Sequence, residues 1–257
     1  MKTLKLASTG PQVRKWQTFL RGQEFLLTVT GTFDKATDSA TRQFQTKHKL
    51  EADGLVGNQT FGKAMQLGFE GVDLSKDPDS GFPAKPDFEP LVSTADRQKL
   101  FGKFGFVSAP EPGNPEAIRI LGDWEDENIV KVTITQLVGI KGTPKNGVLR
   151  FHKKAAQQLQ DLWAEIEKKR LLDRVLRWDG SFNARFVRGS KTTLSNHAFG
   201  TAFDINADEN PLGAEPAFLG EPGCVFELVP LAHKFGFYWG GHFTRRDGMH
   251  FEVAKIL

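Results

Sequence analysis

The chain has 257 residues, enough for one domain or for a small module followed by a larger one. Its 39% hydrophobic and 25% charged content excludes a mainly disordered or collagen-like chain. No run of about 18 apolar residues occurs, so no membrane insertion is expected. A net charge of +3 is too small to point to nucleic acid. No continuous apolar run precedes Gly10-Pro11, so no secretory leader is expected. Cys224 is the only cysteine, which excludes an internal disulfide and thiolate-rich zinc sites. A metal would have to be held by histidines and carboxylates.

Val13, Trp16, Gln17 and Leu20 fall at helical spacing and predict a first helix that stops near Gly22. A second helix is expected from about Asp34, with Ala36, Ala40 and Phe44 facing inward, and a third from about Asn58 to Gly68. An internal echo links the last two. Gly31-Thr32-Phe33-Asp34 with Thr37 recurs twenty-three residues later as Gly54-Leu55-Val56-Gly57 with Thr60. Each copy reads as a glycine turn, a buried apolar residue and a helix start. Together with Gly10, Gln17, Phe44-Gln45 and Asp53, this pattern resembles the type 1 peptidoglycan-binding domain. The resemblance implies non-catalytic binding to cell-wall peptidoglycan.

Residues 70–93 are dense in proline and aspartate without a period, and are expected to form a linker. The expected organisation is a three-helix module over 1–69, that linker, and a catalytic domain over 94–257, an α+β fold with a small antiparallel sheet. In the third part a helix is predicted over Thr94–Phe104 with Thr94 as its cap, and a strand over Ile129–Val138. A long amphipathic helix is predicted over Arg150–Lys169. Leu172–Trp178, Ala202–Ile205 and Met249–Val253 are expected strands, and Phe226–Phe235 a helix ended by Gly236. Residues 105–128 carry no clear pattern. Asn210-Pro211 and Gly220–Gly223 suggest a long loop over the site.

Chemistry concentrates in two stretches, Leu194–Asn206 and Trp239–Glu252. His197 and Asp204 flank a glycine turn, so a strand over Ala202–Ile205 can aim Asp204 at the cavity that His197 faces. His250 opens another short strand, one tight turn after Asp247. Two histidines and a carboxylate make a three-ligand zinc site with a fourth position left for water. Zinc lowers the pKa of bound water and polarises a carbonyl. The reaction also needs a general base able to protonate the leaving amine, and Asp247 is of the right type in the right place.

Ser195, His197, Gly200, Ala202 and Asp204, followed by Asp247, His250 and Phe251, are similar to the motifs of the M15 zinc peptidases over residues 145–257. The resemblance implies one zinc ion on His197, Asp204 and His250, with Asp247 as the catalytic acid/base. An Asp at that place, and no His-x-His element near the last ligand, look like the phage endolysin branch with its L-alanyl-D-glutamate endopeptidases. A D-Ala-D-Ala carboxypeptidase and a wall-binding protein with a degenerate peptidase domain are the alternatives. The resemblance also implies an oxyanion-stabilising arginine, for which Arg185 and Arg188 both qualify and Arg185 is favoured. Ser195 is expected to contact substrate or orient a ligand, and His242 to line the cleft. Trp239 is expected as cleft wall or core, and Glu252 as a partner of His250 or a surface glutamate. The expected protein is a monomer, made in the cytoplasm without a leader, that reaches its peptidoglycan partner through a holin or a secretion machine.

Overall fold

The computed structural model describes residues 3–69 and 82–257. Internal contacts divide the chain into two units, Met1–Phe82 and Pro83–Leu257. Of the expected 70–93 linker, residues 70–81 lie outside the described residues, and Pro83–Ser93 belong to the second unit.

In the first unit α1 (Pro11–Gly22), α2 (Lys35–Lys47) and α3 (Asn58–Gln66) close around Val13, Trp16, Leu20, Phe33, Phe44, Val56 and Phe61, all buried. The start of α2 is set by Asp34, whose carboxylate accepts from the Thr37 amide at 2.8 Å. The sequence echo has a physical basis in two buried glutamines. Gln17 Oε1 accepts from the Thr30 and Gly31 amides at 2.9 and 2.8 Å, and its Nε2 donates to Thr37 Oγ1 at 2.8 Å. Gln45 repeats this on Gly54 N at 2.9 Å and Thr60 Oγ1 at 3.1 Å. Each amide thus ties a helix to the following glycine turn and to the next helix. Replacing Gln45 by Leu leaves buried groups unpartnered. It is expected to destabilise this unit by about 2–3 kcal/mol. Native-state hydrogen exchange of its amides reads the effect, and unchanged protection would refute the clamp.

The second unit is α+β. It contains α4 (Thr94–Phe101), β1 (Gly105–Ser108), β2 (Ile118–Leu121), α5 (Trp124–Asn128), β3 (Ile129–Thr133), β4 (Val148–His152) and α6 (Ala156–Lys168). After these come β5 (Trp178–Gly180), β6 (Ala202–Ile205), α7 (Val229–Lys234), β7 (Phe237–Trp239) and β8 (His250–Val253). Two antiparallel pairs, β1-β2 and β3-β4, stand beside a four-stranded antiparallel sheet of order β5-β6-β8-β7. In α6, Leu159, Leu162, Trp163 and Ile166 form one buried stripe. No helix among the described residues is long and apolar enough to cross a membrane.

Several boundaries differ from expectation. Residues 150–152 belong to β4 rather than to the following helix. Leu149 and Phe151 are buried and Arg150 is exposed, the period of a strand, and pairing with β3 fixes it. The strand from Ile129 ends at Thr133, where a 3₁₀ turn follows. Leu172–Arg174 is also a 3₁₀ turn, so that strand begins only at Trp178. Helix α7 starts at Val229, with Pro230 in its first turn. Ser93, not Thr94, caps α4, and Thr94 Oγ1 instead accepts from the Leu194 amide at 2.9 Å. Residues 105–128 supply β1, β2 and α5. The loop after β6 is pinned, because buried Asn210 donates to Asn206 O and Gly223 O at 3.1 and 2.9 Å.

Candidate metal centre

Strand alternation builds the site. In the antiparallel pairing of β6 with β8, Asp204 lies opposite His250 and Ala202 opposite Glu252. These four share one face. Phe203 and Phe251 take the other, stacked at 5.2 Å in the core. His197 arrives from a 3₁₀ turn, Asn196–Phe199, whose start is capped by Ser195 Oγ accepting from the His197 amide at 3.2 Å. Gly200 ends the turn with φ of 65°, the left-handed region that favours glycine, and a Cβ there would press on Ile129 Cδ1 at 2.7 Å and on the His152 amide nitrogen at 3.2 Å.

His250 Nδ1 lies 2.8 Å from Asp204 Oδ1. His197 Nε2 lies 3.2 Å from Asp204 Oδ2 and 3.2 Å from His250 Nδ1. Tetrahedral zinc with bonds of about 2.0–2.1 Å spaces its ligand atoms by roughly 3.3 Å, so the donor spacing fits. The set can hold one metal ion, and two imidazoles with one carboxylate suit zinc.

The far side of each imidazole fixes its tautomer. His197 Nδ1 donates to Ser181 O at 2.6 Å, and His250 Nε2 donates to Glu252 Oε2 at 3.1 Å. The remaining nitrogens, Nε2 of His197 and Nδ1 of His250, face the cluster and would offer lone pairs to a metal that displaces their protons. Glu252 is buried and also accepts from Asn196 Nδ2. Burial works against the charge on Asp204, but the two imidazoles outweigh it and hold its carboxyl well below the usual range. Burial likewise opposes charge on His250, but hydrogen bonds to Asp204 and Glu252 push it up to about 10.

A cavity of about 550 Å³ reaches this cluster at His250, with Arg185, Ser195 and Asp247 also in its wall. Asp247 is placed by a tight turn in which its amide donates to Gly240 O at 3.0 Å and its carbonyl accepts from the His250 amide at 3.1 Å. Burial raises the Asp247 carboxyl pKa, with the Asp204 charge adding to it and the two imidazoles opposing. Its Oδ1 is buried and has no hydrogen-bond partner among the described residues. A carboxyl oxygen so placed can take a proton from a group entering the cavity.

Residues 188–253 match the M15 family model described as D-alanyl-D-alanine carboxypeptidase. They are an M15-type peptidase segment. Residues 9–63 match the model described as putative peptidoglycan binding domain, so the first unit holds a module of that type. No curated protein matches the chain. Among solved structures, a peptidoglycan-binding protein from Clostridioides difficile in complex with glutamine hydroxamate is 29% identical, over 26% of this chain and 42% of its own, with a TM-score of 0.25. The Burkholderia AP3 phage endolysin is 33% identical over 24% of each chain, with a TM-score of 0.24. The SleB N-terminal domain is 30% identical over 26% of this chain and 92% of its own, with a TM-score of 0.25. The chain thus spans less than half of the first two.

Within the second unit the two candidate arginines separate. Arg188 Nη1 is engaged by Glu116 at 2.7 Å and Asn114 at 3.0 Å. Arg185 donates to the Phe186 carbonyl at 3.1 Å. Burial lowers the Arg185 pKa, and the nearby Asp204 and Asp247 carboxylates oppose that. Both arginines line the cavity, as does His242, whose pKa burial pushes down to about 4. Trp239 departs from the cleft-wall expectation. It is fully buried beneath the site, and its indole donates to Gly248 O at 2.8 Å. Ser195 lines the cavity while its hydroxyl caps the His197 turn.

Sequence reasoning missed three supports. Ser181 acts through a backbone carbonyl, which carries no side-chain signal. Asn196 sits beside His197 but acts on Glu252. Buried Arg97 on α4 donates to Leu194 O at 3.0 Å, anchoring the strand entry to Ser195.

Proposed function

We propose that the chain is a zinc-dependent peptidoglycan hydrolase that cuts peptide stems between L-Ala and D-Glu. The observation that carries this reading is the cluster of His197, Asp204 and His250, whose His250 lines the same cavity as Asp247 with its unpartnered carboxyl oxygen. His197, Asp204 and His250 would hold the ion, which supplies polarisation of the scissile carbonyl and a lowered pKa for water. Asp247 takes a proton from the attacking water as its oxygen bonds to the carbonyl carbon. The C–N bond then breaks, and Asp247 passes that proton to the leaving nitrogen. Arg185 stabilises the oxyanion, because Arg188 is already committed to Glu116. Arg185→Ala is expected to lower kcat about 10²-fold. Arg188→Ala is expected to cost far less, and equal losses would refute this division. The first unit would raise the local concentration of the peptidase on the wall.

Asp247 in place of Glu, and the missing His-x-His element, favour the endopeptidase. The description of the matching family model favours a second reading, removal of a terminal D-Ala. Mass analysis of fragments from purified sacculi decides between them. Stems cut after L-Ala support the first, and loss of D-Ala alone supports the second.

A further inference from the structure

The segment Pro83–Ser93 has neither helix nor strand, yet it is fixed to the peptidase unit. Pro83 is buried. The Phe88 ring meets His233 and Tyr238 edge-on, with centroids 6.4 Å apart in each case. Further along, the buried Arg97 guanidinium reaches Val92 O at 3.5 Å. Between these anchors the segment turns Lys85, Glu89 and Leu91 into the wall of the same cavity that holds Asp247 and His250.

The charges of that wall are unevenly matched. Arg188 is paired with Glu116, and Glu252 is occupied by His250 and Asn196. Lys85 is exposed on the cavity wall, and no carboxylate among the described residues pairs with it. A peptide stem brings free carboxylates, the one charge type that such an ammonium recognises.

We propose that the Pro83–Ser93 strap is part of the substrate site and that Lys85 binds a free carboxylate of the peptide stem. This rests on the stem-hydrolase reading above. Lys85 would therefore determine specificity for acidic over amidated stems, without touching the reacting bond.

The test uses the full chain and a stem peptide whose scissile amide is replaced by a ketomethylene, in acid and carboxyl-amidated forms. Binding is measured by calorimetry. Lys85→Ala is expected to weaken binding of the acid form about fivefold, and Lys85→Glu more. The amidated form should change less than about twofold, and Lys85→Arg should restore the acid form. Unchanged binding of the acid form by Lys85→Glu would overturn the role of Lys85 and leave the hydrolase reading standing. Equal losses on both forms would also overturn it, since they report wall shape rather than charge. A wild-type chain that binds neither form would overturn both.

Discussion

Asp247→Asn is expected to cut kcat on peptidoglycan stems by about 10²–10⁴-fold, the usual contribution of a positioned general base. The change is nearly isosteric, so the tight turn through Gly240 O and the His250 amide should survive. What it removes is the ability to accept a proton. Neither of the other two carboxyls at the metal centre can replace it. Glu252 is held by His250 and Asn196, and Asp204 lies between the two imidazoles. Metal content should stay at one ion per chain, because Asp247 is outside the ligand set. A variant with near-normal kcat would remove Asp247 from the chemistry.

Asp204→Ala should do more. Both imidazoles lean on this carboxylate, at 2.8 and 3.2 Å. Its removal leaves two nitrogen donors, too few to retain zinc against a chelator. Bound zinc is expected to fall from one per chain to near zero, and activity by at least about 10³-fold. Glu252→Gln should act differently, since it changes only the partner behind His250. Metal affinity is expected to drop about 10–100-fold, with kcat recovering at high zinc. Elemental analysis after dialysis separates the two variants. Full zinc retention by Asp204→Ala would refute the ligand set.

The parts of the site legible in the sequence are those written in short contiguous patterns. The alternation of Ala202-Phe203-Asp204 and of His250-Phe251-Glu252 already sorts polar from core side chains. Antiparallel pairing then brings Asp204 and His250 opposite each other. The glycine echo of the first unit was equally visible, though its cause, the paired clamps of Gln17 and Gln45, appears only in three dimensions. What the sequence hid depends on distant partners. Glu116, seventy-two residues from Arg188, pairs with that arginine and not with Arg185. The register of β7 against β8 buries Trp239, which a glycine-flanked aromatic does not reveal. Arg150–His152 runs almost directly into the next helix in the sequence, and only pairing with β3 separates the two. The Pro83–Ser93 strap lacks any period, so only its anchors show that it lines the cavity.

The most direct measurement is the release of peptide fragments from purified sacculi before chelation, after it, and after return of zinc. Fragments cut within the stem, their loss on chelation, and their recovery with one equivalent of zinc are the expected result. Undiminished release after thorough chelation, or glycan strands stripped of whole stems, would contradict it.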